Sequence, residues 1–164
     1  MWRSEGMNTY GAADTSVTIY IEGKGVVLNE RALMAFEAGS GKILAFGAEA
    51  ERMAANPAEN VKIVTPLAEG KITDYKNAVK LFLCLLHKAG VKGNLFRKPQ
   101  IAVSVPAGTA DTEKKALEDV LYQSGAGKVY MSEIGIEQLA HSLFRSGDKS
   151  LKGFQTVIGI TKDK

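Results

Sequence analysis

Residues 9–30 read TYGAADTSVTIYIEGKGVVLNE, and this stretch decides how the fold begins. From Thr15 to Glu22, apolar and polar residues alternate, which is the period-two pattern of a strand with one buried face. The Gly-Lys-Gly at 23–25 then reverses the chain into a second apolar run. The stretch therefore predicts a β-hairpin. The small residues at 11–15 predict a turn of the kind whose backbone N–H groups hold phosphate.

The residues after this hairpin predict a small appendage. ALMAFEAGSGKILAFG repeats the hairpin pattern, because two apolar stretches flank the turn at 39–41. Residues 48–56 have a weak helical pattern that Pro57 stops, and VKIV at 61–64 is a short strand that ends before Pro66.

A long helix begins after this appendage. Thr73 or Asp74 can cap its N-terminus, and YKNAVKLFLCLLHKAG then runs to Gly90 with His87 and Lys88 in the last turn. The segment from Leu81 to Leu86 is apolar nearly all round. Such a helix is normally covered on more than one side, so we expect it in the main core.

The rest of the chain alternates strands and helices. IAVSV at 101–105 is a predicted buried strand, and a helix starting at Thr109 or Asp111 runs to Gly125. We then expect a third core strand (KVYM), a helix (SEIGIEQLAHSLF) and a last strand (FQTVIGI). The order is a β-meander followed by a βαβαβ unit, which predicts an α/β layered domain.

Composition narrows the functional classes. The 21 basic and 18 acidic residues give a net charge of +3 and are spread along the chain, so we expect no nucleic-acid partner. Cys84 lies inside LFLCLL and is expected to be a buried, inert thiol. His87 and His141 are isolated and predict no metal site. With no apolar run long enough to span a bilayer, we expect a cytoplasmic protein.

Four separated segments carry a family resemblance. The chain resembles the bacterial actin-like, rod shape-determining MreB family of actin-fold ATPases over nearly its whole length, in segments 22–30, 41–53, 63–75 and 103–117, followed by 125–133. The resemblance implies an RNase-H-like first large subdomain from residues 1–31 and 73–164. It also implies a small α+β subdomain inserted at 32–72. Family members are roughly twice as long, so the second lobe is expected to be absent from this sequence.

The resemblance places the nucleotide phosphates at the first turn. The family's phosphate loop reads Asp-Leu-Gly-Thr, and its aspartate organises a metal ion, which needs hard oxygen ligands. That aspartate falls on Thr9 or on Gly11, depending on the alignment. Asp14 is either a displaced substitute or a turn residue. By resemblance the candidate cofactor-binding residues are Gly11, Ala12, Ala13, Asp14 and Thr15.

Two further positions depart from the family pattern. The glutamate that positions the attacking water in the family falls on Ile134, which cannot orient water. Glu133, one residue earlier, is either a weak catalytic candidate or a first-turn helix glutamate. The family's second phosphate loop reads Asp-Ile-Gly-Gly-Gly-Thr, whereas this chain reads VIGITKDK with Gly159 alone.

These departures set the functional expectation. The resemblance implies ATP and Mg²⁺ as cofactors, but the missing acids and lobe predict no competent ATPase. We expect a divergent or partial cytoskeletal protein that acts in cell shape through protein contacts. The alternatives are an ATPase that uses Asp14 and Glu133, or a module that caps filaments of an intact relative.

The resemblance also sets the expected partners. These are the chain itself, an intact relative or membrane-associated cell-shape proteins. The resemblance also implies a peripheral location at the inner face of the membrane. Trp2 is the one aromatic residue in MWRSEGM, which offers little area for membrane anchoring, so we expect no direct membrane contact.

Overall fold

The computed structural model describes residues 13–91, 93, 96–145 and 153–163. In this part of the chain the elements are, in order, β1 (Thr15–Ile21), β2 (Gly25–Arg31), β3 (Met34–Glu37), β4 (Ile43–Phe46), α1 (Ala48–Ala55), β5 (Val61–Val64), β6 (Leu67–Ala68), β7 (Lys71–Ile72), α2 (Tyr75–Lys88), β8 (Gln100–Ser104), α3 (Asp111–Gln123), β9 (Lys128–Ser132), α4 (Ile136–Arg145) and β10 (Phe154–Lys162). The predicted hairpins and helices are therefore confirmed as elements.

The main sheet has five strands in the order β2-β1-β10-β8-β9. β1 pairs with β2 and β10 in antiparallel fashion, while β8 is parallel to both β10 and β9. The last strand of the chain thus lies in the middle of the sheet. Its run TVIGI is buried on both faces, and a nearly continuous apolar sequence is what such a central position requires.

Helices cover both faces of this sheet. On one face α2 and α3 pack against the apolar side chains of β1, β8 and β10, among them Val17, Ile19, Ile101, Val103 and Ile158. On the other face α4 covers β8 and β10 through Leu139, Ala140 and Leu143, which contact Ala102, Phe154 and Val157. The predicted α/β layered architecture is confirmed.

A second sheet, β4-β3-β5, is antiparallel and lies against α2. β3 alternates: Met34 and Phe36 join the main core, while Ala35 joins a separate cluster with Ala45, Ala50 and Ile63 that involves α1. The Nζ atom of Lys80 on α2 lies 5.7 Å from the Phe36 ring centroid. Both sheets therefore contribute to the core on which helix α2 packs, but Leu83 is 48% exposed, so the helix is not covered all round as its apolar circumference predicts. The subdomain boundaries at 31/32 and 72/73 stay a prediction.

Two local expectations need correction or refinement, and a third is confirmed. β9 is not a core strand but a sheet edge, where Tyr130 is 39% exposed. Helix α3 begins at Asp111 with Ala110 as its N-cap and no capping side chain, because the Thr109 hydroxyl donates to the Pro106 carbonyl instead. Helix α2, in contrast, is capped as predicted, since Asp74 accepts the Asn77 backbone N–H at 3.1 Å.

None of the helices in the described ranges is long and apolar enough to cross a membrane.

Candidate functional site

The carboxyl ends of the parallel strands β8, β9 and β10 meet at one edge of the main sheet, and the start of β1 joins them. Ligands of open α/β sheets bind outside this kind of edge. We call it the carboxyl edge and define it by Asp14, Thr15, 106–109, Glu133 and 162–163. Two of the sequence-predicted site residues and the catalytic candidate therefore lie at the same end of the sheet.

Asp14 and Thr15 hold a neighbouring hairpin. Asp14 Oδ1 accepts the backbone N–H of Glu69 at 2.8 Å and the Thr15 hydroxyl at 3.0 Å. Thr15 Oγ1 in turn accepts the Gly70 N–H at 2.9 Å. Glu69 has a φ of 54°, a left-handed conformation that costs energy for a residue with a side chain, so these bonds stabilise the β6–β7 turn.

Asp14 is thus neither a free acid nor a simple local turn residue. Its Glu69 partner is 55 residues away in sequence, whereas the turn interpretation needs a partner two residues on.

Glu133 is also bound by protein donors. Its Oε1 atom accepts the Gly108 N–H at 2.6 Å, and its Oε2 atom lies 2.7 Å from Lys114 Nζ. The hydrogen bond from Lys114, followed by that from Gly108, lowers the pKa of the Glu133 carboxyl. The hydrogen bond to Glu133 in turn raises the pKa of Lys114. A carboxylate with a lowered pKa is a weaker proton acceptor, which is unfavourable for a general base.

Ile134 and Ser104 form a structural contact beside Glu133. The Ser104 hydroxyl donates to the Ile134 carbonyl at 2.5 Å and so fixes the segment between β9 and α4. The Ile134 side chain is 42% exposed. Ser104 is a strand residue, as the sequence predicts.

Gly159 lies inside β10, where the lack of a side chain allows close packing. A Cβ atom at this position would lie 2.9 Å from Ile136 Cδ1 and 3.1 Å from Ile136 Cβ. The missing side chain therefore allows the first residue of α4 to approach the sheet closely.

Asp163 and Arg31 are edge residues that sequence reasoning missed. The Asp163 N–H donates to the Asp14 carbonyl at 2.8 Å, and Asp163 Oδ2 lies 2.9 Å from Arg31 Nη1. At this distance the guanidinium and the carboxylate form an ion pair. The Asp163 carboxylate raises the pKa of Arg31. No local sequence signal marks the pair, because Arg31 ends β2 whereas Asp163 follows β10, far away in sequence.

The remaining candidates have separate outcomes. Gly11 and Ala12 lie outside the described residues, and half-buried Ala13 packs near the α1 cluster. In the ranges that the structure covers, no group of three acids, histidines or cysteines could hold a metal ion. Cys84 is half-buried, and burial raises the pKa of its thiol, which disfavours the reactive thiolate. His87 and His141 are exposed.

Comparison with solved structures identifies the class of protein to which this fold belongs. The chain aligns with MreB5 of Spiroplasma citri bound to ADP with a TM-score of 0.63 and 28% identity, over 80% of this chain and 38% of that one. It aligns with the MamK double helical filament with a TM-score of 0.56 and 20% identity, over 73% of this chain and 38% of that one. The fold is that of the actin-like proteins.

Sequence comparisons narrow this class. Residues 9–139 match the family profile described as MreB/Mbl protein. The chain is 36% identical over 118 residues to the cell shape-determining protein Mbl of Bacillus subtilis, covering 72% of this chain and 35% of Mbl. It is 29% identical over 127 residues to the cell shape-determining protein MreB of Escherichia coli, covering 75% of this chain and 36% of MreB.

The chain belongs to the MreB/Mbl family, and it spans about a third of the length of these two relatives.

Proposed function

We propose that this chain is a divergent actin-like cytoskeletal protein that acts in cell shape through protein contacts, with a degraded nucleotide site. The observation that carries the proposal is that the two acids nearest the expected phosphates are already bound by protein donors. Asp14 and Glu133 each bind two protein donors. These contacts engage Oδ1 of Asp14 and both oxygens of Glu133, and so restrict how each acid could turn toward the water shell of a metal ion.

Turning either carboxylate away from its protein donors would cost the free energy of those hydrogen bonds, which opposes metal binding. Releasing Asp14 would also leave the Glu69 N–H without its acceptor in a left-handed turn. In this chain the two carboxylates stabilise the fold, whereas in a nucleotide site their interactions would have to contribute to ligand binding.

Calorimetry with magnesium-ATP tests the proposal. We expect no saturable heat at micromolar nucleotide. MreB5 of Spiroplasma citri, whose solved structures hold ADP and AMPPNP, is the positive control. A tight isotherm that depends on magnesium would overturn the proposal.

The second candidate is an ATP-binding protein that uses substituted acids. The nucleotide-bound MreB5 structures favour it, because the AMPPNP form matches 74% of this chain at 30% identity. If binding is observed, Asp14→Asn and Glu133→Gln separate the roles. Loss of magnesium dependence in Asp14→Asn alone would identify Asp14 as the substitute, and circular dichroism would check that both variants fold.

A further inference from the structure

The outer face of α2 is open to solvent. Lys76, Lys80, Leu83 and His87 have the spacing i, i+4, i+7 and i+11, so they lie along one side of the helix, away from its buried residues. Lys76 and His87 are exposed, and Leu83 is exposed although leucine is usually buried. This side of α2 therefore carries positive charge together with one large apolar side chain.

Lys62 on β5 extends this surface onto the second sheet. It pairs directly with Phe36 across β3 and β5, so both side chains lie on the sheet face that packs against α2. The Nζ atom of Lys80 lies close to the ring of the same Phe36. Lys62 and Lys80 therefore converge on one side chain, and Lys76 lies one helical turn from Lys80. We call the set Lys62, Lys76, Lys80, Leu83 and His87 the basic stripe.

Two acids near these lysines are engaged elsewhere. Asp74, the N-cap of α2, accepts the Asn77 backbone N–H with Oδ1 and the Asn77 side-chain amide with Oδ2. Glu37 follows Phe36 but lies on the opposite face of the second sheet, where it accepts the Ser40 hydroxyl. Among the residues that the structure describes, none of the three lysines forms an ion pair. The basic stripe therefore keeps a local positive potential.

The chemistry of the basic stripe defines the kind of partner that fits it. A complementary surface carries carboxylates and an apolar side chain on the same face, which is the pattern of an acidic amphipathic helix. A nucleic acid is less complementary, because a phosphate backbone offers Leu83 no apolar contact and the net charge of the chain is only +3.

We propose that the basic stripe binds an acidic amphipathic helix of a partner protein. This inference rests on the proposed action through protein contacts, and it names the surface and the class of partner.

Fluorescence anisotropy with a labelled synthetic helix tests the proposal. The probe carries glutamates and a single leucine stripe, and a peptide of the same composition in scrambled order is its control. The test variant Lys62→Gln/Lys76→Gln removes two exposed charges of the site, and Lys24→Gln/Lys42→Gln removes the same charge from exposed loops elsewhere. We expect saturable binding that weakens with added salt, by about fivefold or more in the test variant and by at most about twofold in the control.

A second pair of variants tests the apolar contact. Leu83→Ala removes the leucine of the basic stripe, and Leu44→Ala truncates a comparably exposed leucine on β4. Leu83→Ala should weaken binding by about threefold or more, whereas Leu44→Ala should leave it unchanged. Circular dichroism checks that all four variants fold.

Several results would overturn the proposal. These are no binding of the probe, equal binding of the scrambled peptide, equal losses in test and control variants, or a loss in the lysine variant without a loss in Leu83→Ala. Equal or tighter binding of a short DNA duplex would assign the basic stripe to a nucleic acid instead. None of these results depends on magnesium-ATP, so failure of this proposal is distinguishable from failure of the proposed degraded nucleotide site.

Discussion

Removal of the Glu30 carboxylate should destabilise the chain far more than removal of its lysine partner. Glu30 lies on β2 and is only 9% exposed. Its Oε1 atom accepts the backbone N–H of Ala48, the first residue of α1, at 2.6 Å. Its Oε2 atom lies 2.6 Å from Lys88 Nζ at the end of α2. One side chain therefore connects a main-sheet strand with two helices.

The two contacts of Glu30 differ in energy. Helix α1 has Gly47 as its N-cap and no side-chain cap of its own, so Glu30→Ala leaves the Ala48 N–H without its acceptor. A hydrogen bond to a charged group contributes about 1.5–3 kcal/mol, and lost packing adds to this. We expect Glu30→Ala to lower the free energy of unfolding by about 2–4 kcal/mol.

Lys88→Met should cost less. The Lys88 side chain is 51% exposed, so solvent partly screens the ion pair, and the 9% exposed Glu30 side chain places its contribution at the upper end of the range for such pairs, about 1 kcal/mol. In Lys88→Met the Glu30 carboxylate also keeps its Ala48 bond. The difference between the two variants isolates the role of Glu30 as a cap for α1.

Urea unfolding and thermal melts measure this difference. For a chain of this size, each kcal/mol corresponds to about 2–4 °C in Tm, so Glu30→Ala should melt about 4–16 °C lower. A Cβ atom at Gly47 would clash with Glu30 Oε1, so Gly47→Ala should destabilise the unchanged chain more than it destabilises the Glu30→Ala variant. Equal costs for Glu30→Ala and Lys88→Met would refute the reasoning.

Three further predictions concern Glu133 at the carboxyl edge, the packing of Gly159 in β10 and the assembly of the chain. Glu133 has a folded pKa below its ordinary value of 4.5, so its contribution to stability is present above that value and is lost as pH falls through the folded pKa. Glu133→Gln should therefore flatten the pH dependence of urea unfolding in the acid range, and an unchanged slope would contradict this. Gly159→Ala should destabilise by about 1–2 kcal/mol because of overpacking against Ile136, and Ile136→Ala should restore part of the loss in the double variant; additive losses would argue against the contact. The matched region covers 35% of Mbl, and stable interfaces need about 1,000 Å² of buried surface. We therefore expect a monomer or small oligomer that forms no long filaments with ATP but changes the pelleting of full-length Mbl. Abundant protofilaments in electron micrographs would exclude the first expectation, and an unchanged Mbl pellet would exclude the second.

Most of the elements could be predicted because their signals are local. The alternation from Thr15 to Glu22 and the glycine turn at 23–25 define the first hairpin, and the Asp74 cap with the apolar run to Leu86 defines α2. The failure at β9 has a physical reason. KVYM has the composition of a core strand, but burial depends on whether another strand pairs beyond it, and that is not a property of the segment.

The candidate site was less accessible to sequence reasoning. The sequence identifies Asp14 and Glu133 as acids near the expected phosphates but does not identify their partners. Glu69 meets Asp14 across 55 residues, and Gly108 meets Glu133 across 25. Pattern analysis detects residues that share a strand or a helical turn, whereas these bonds form only after separate elements have packed.

The amino-acid sequence by itself determined the strands, the helices, their order and the family, because each depends on local periodicity, turn residues or matched segments. Only the tertiary structure decided that β10 lies between β1 and β8, and with it that Asp163 meets Asp14 and Arg31. The apolar run of β10 requires burial on both faces but does not identify the neighbouring strands. Its neighbours are chosen by the pairing of backbone N–H and C=O groups and by helix packing on both sheet faces, and both form between segments distant in sequence.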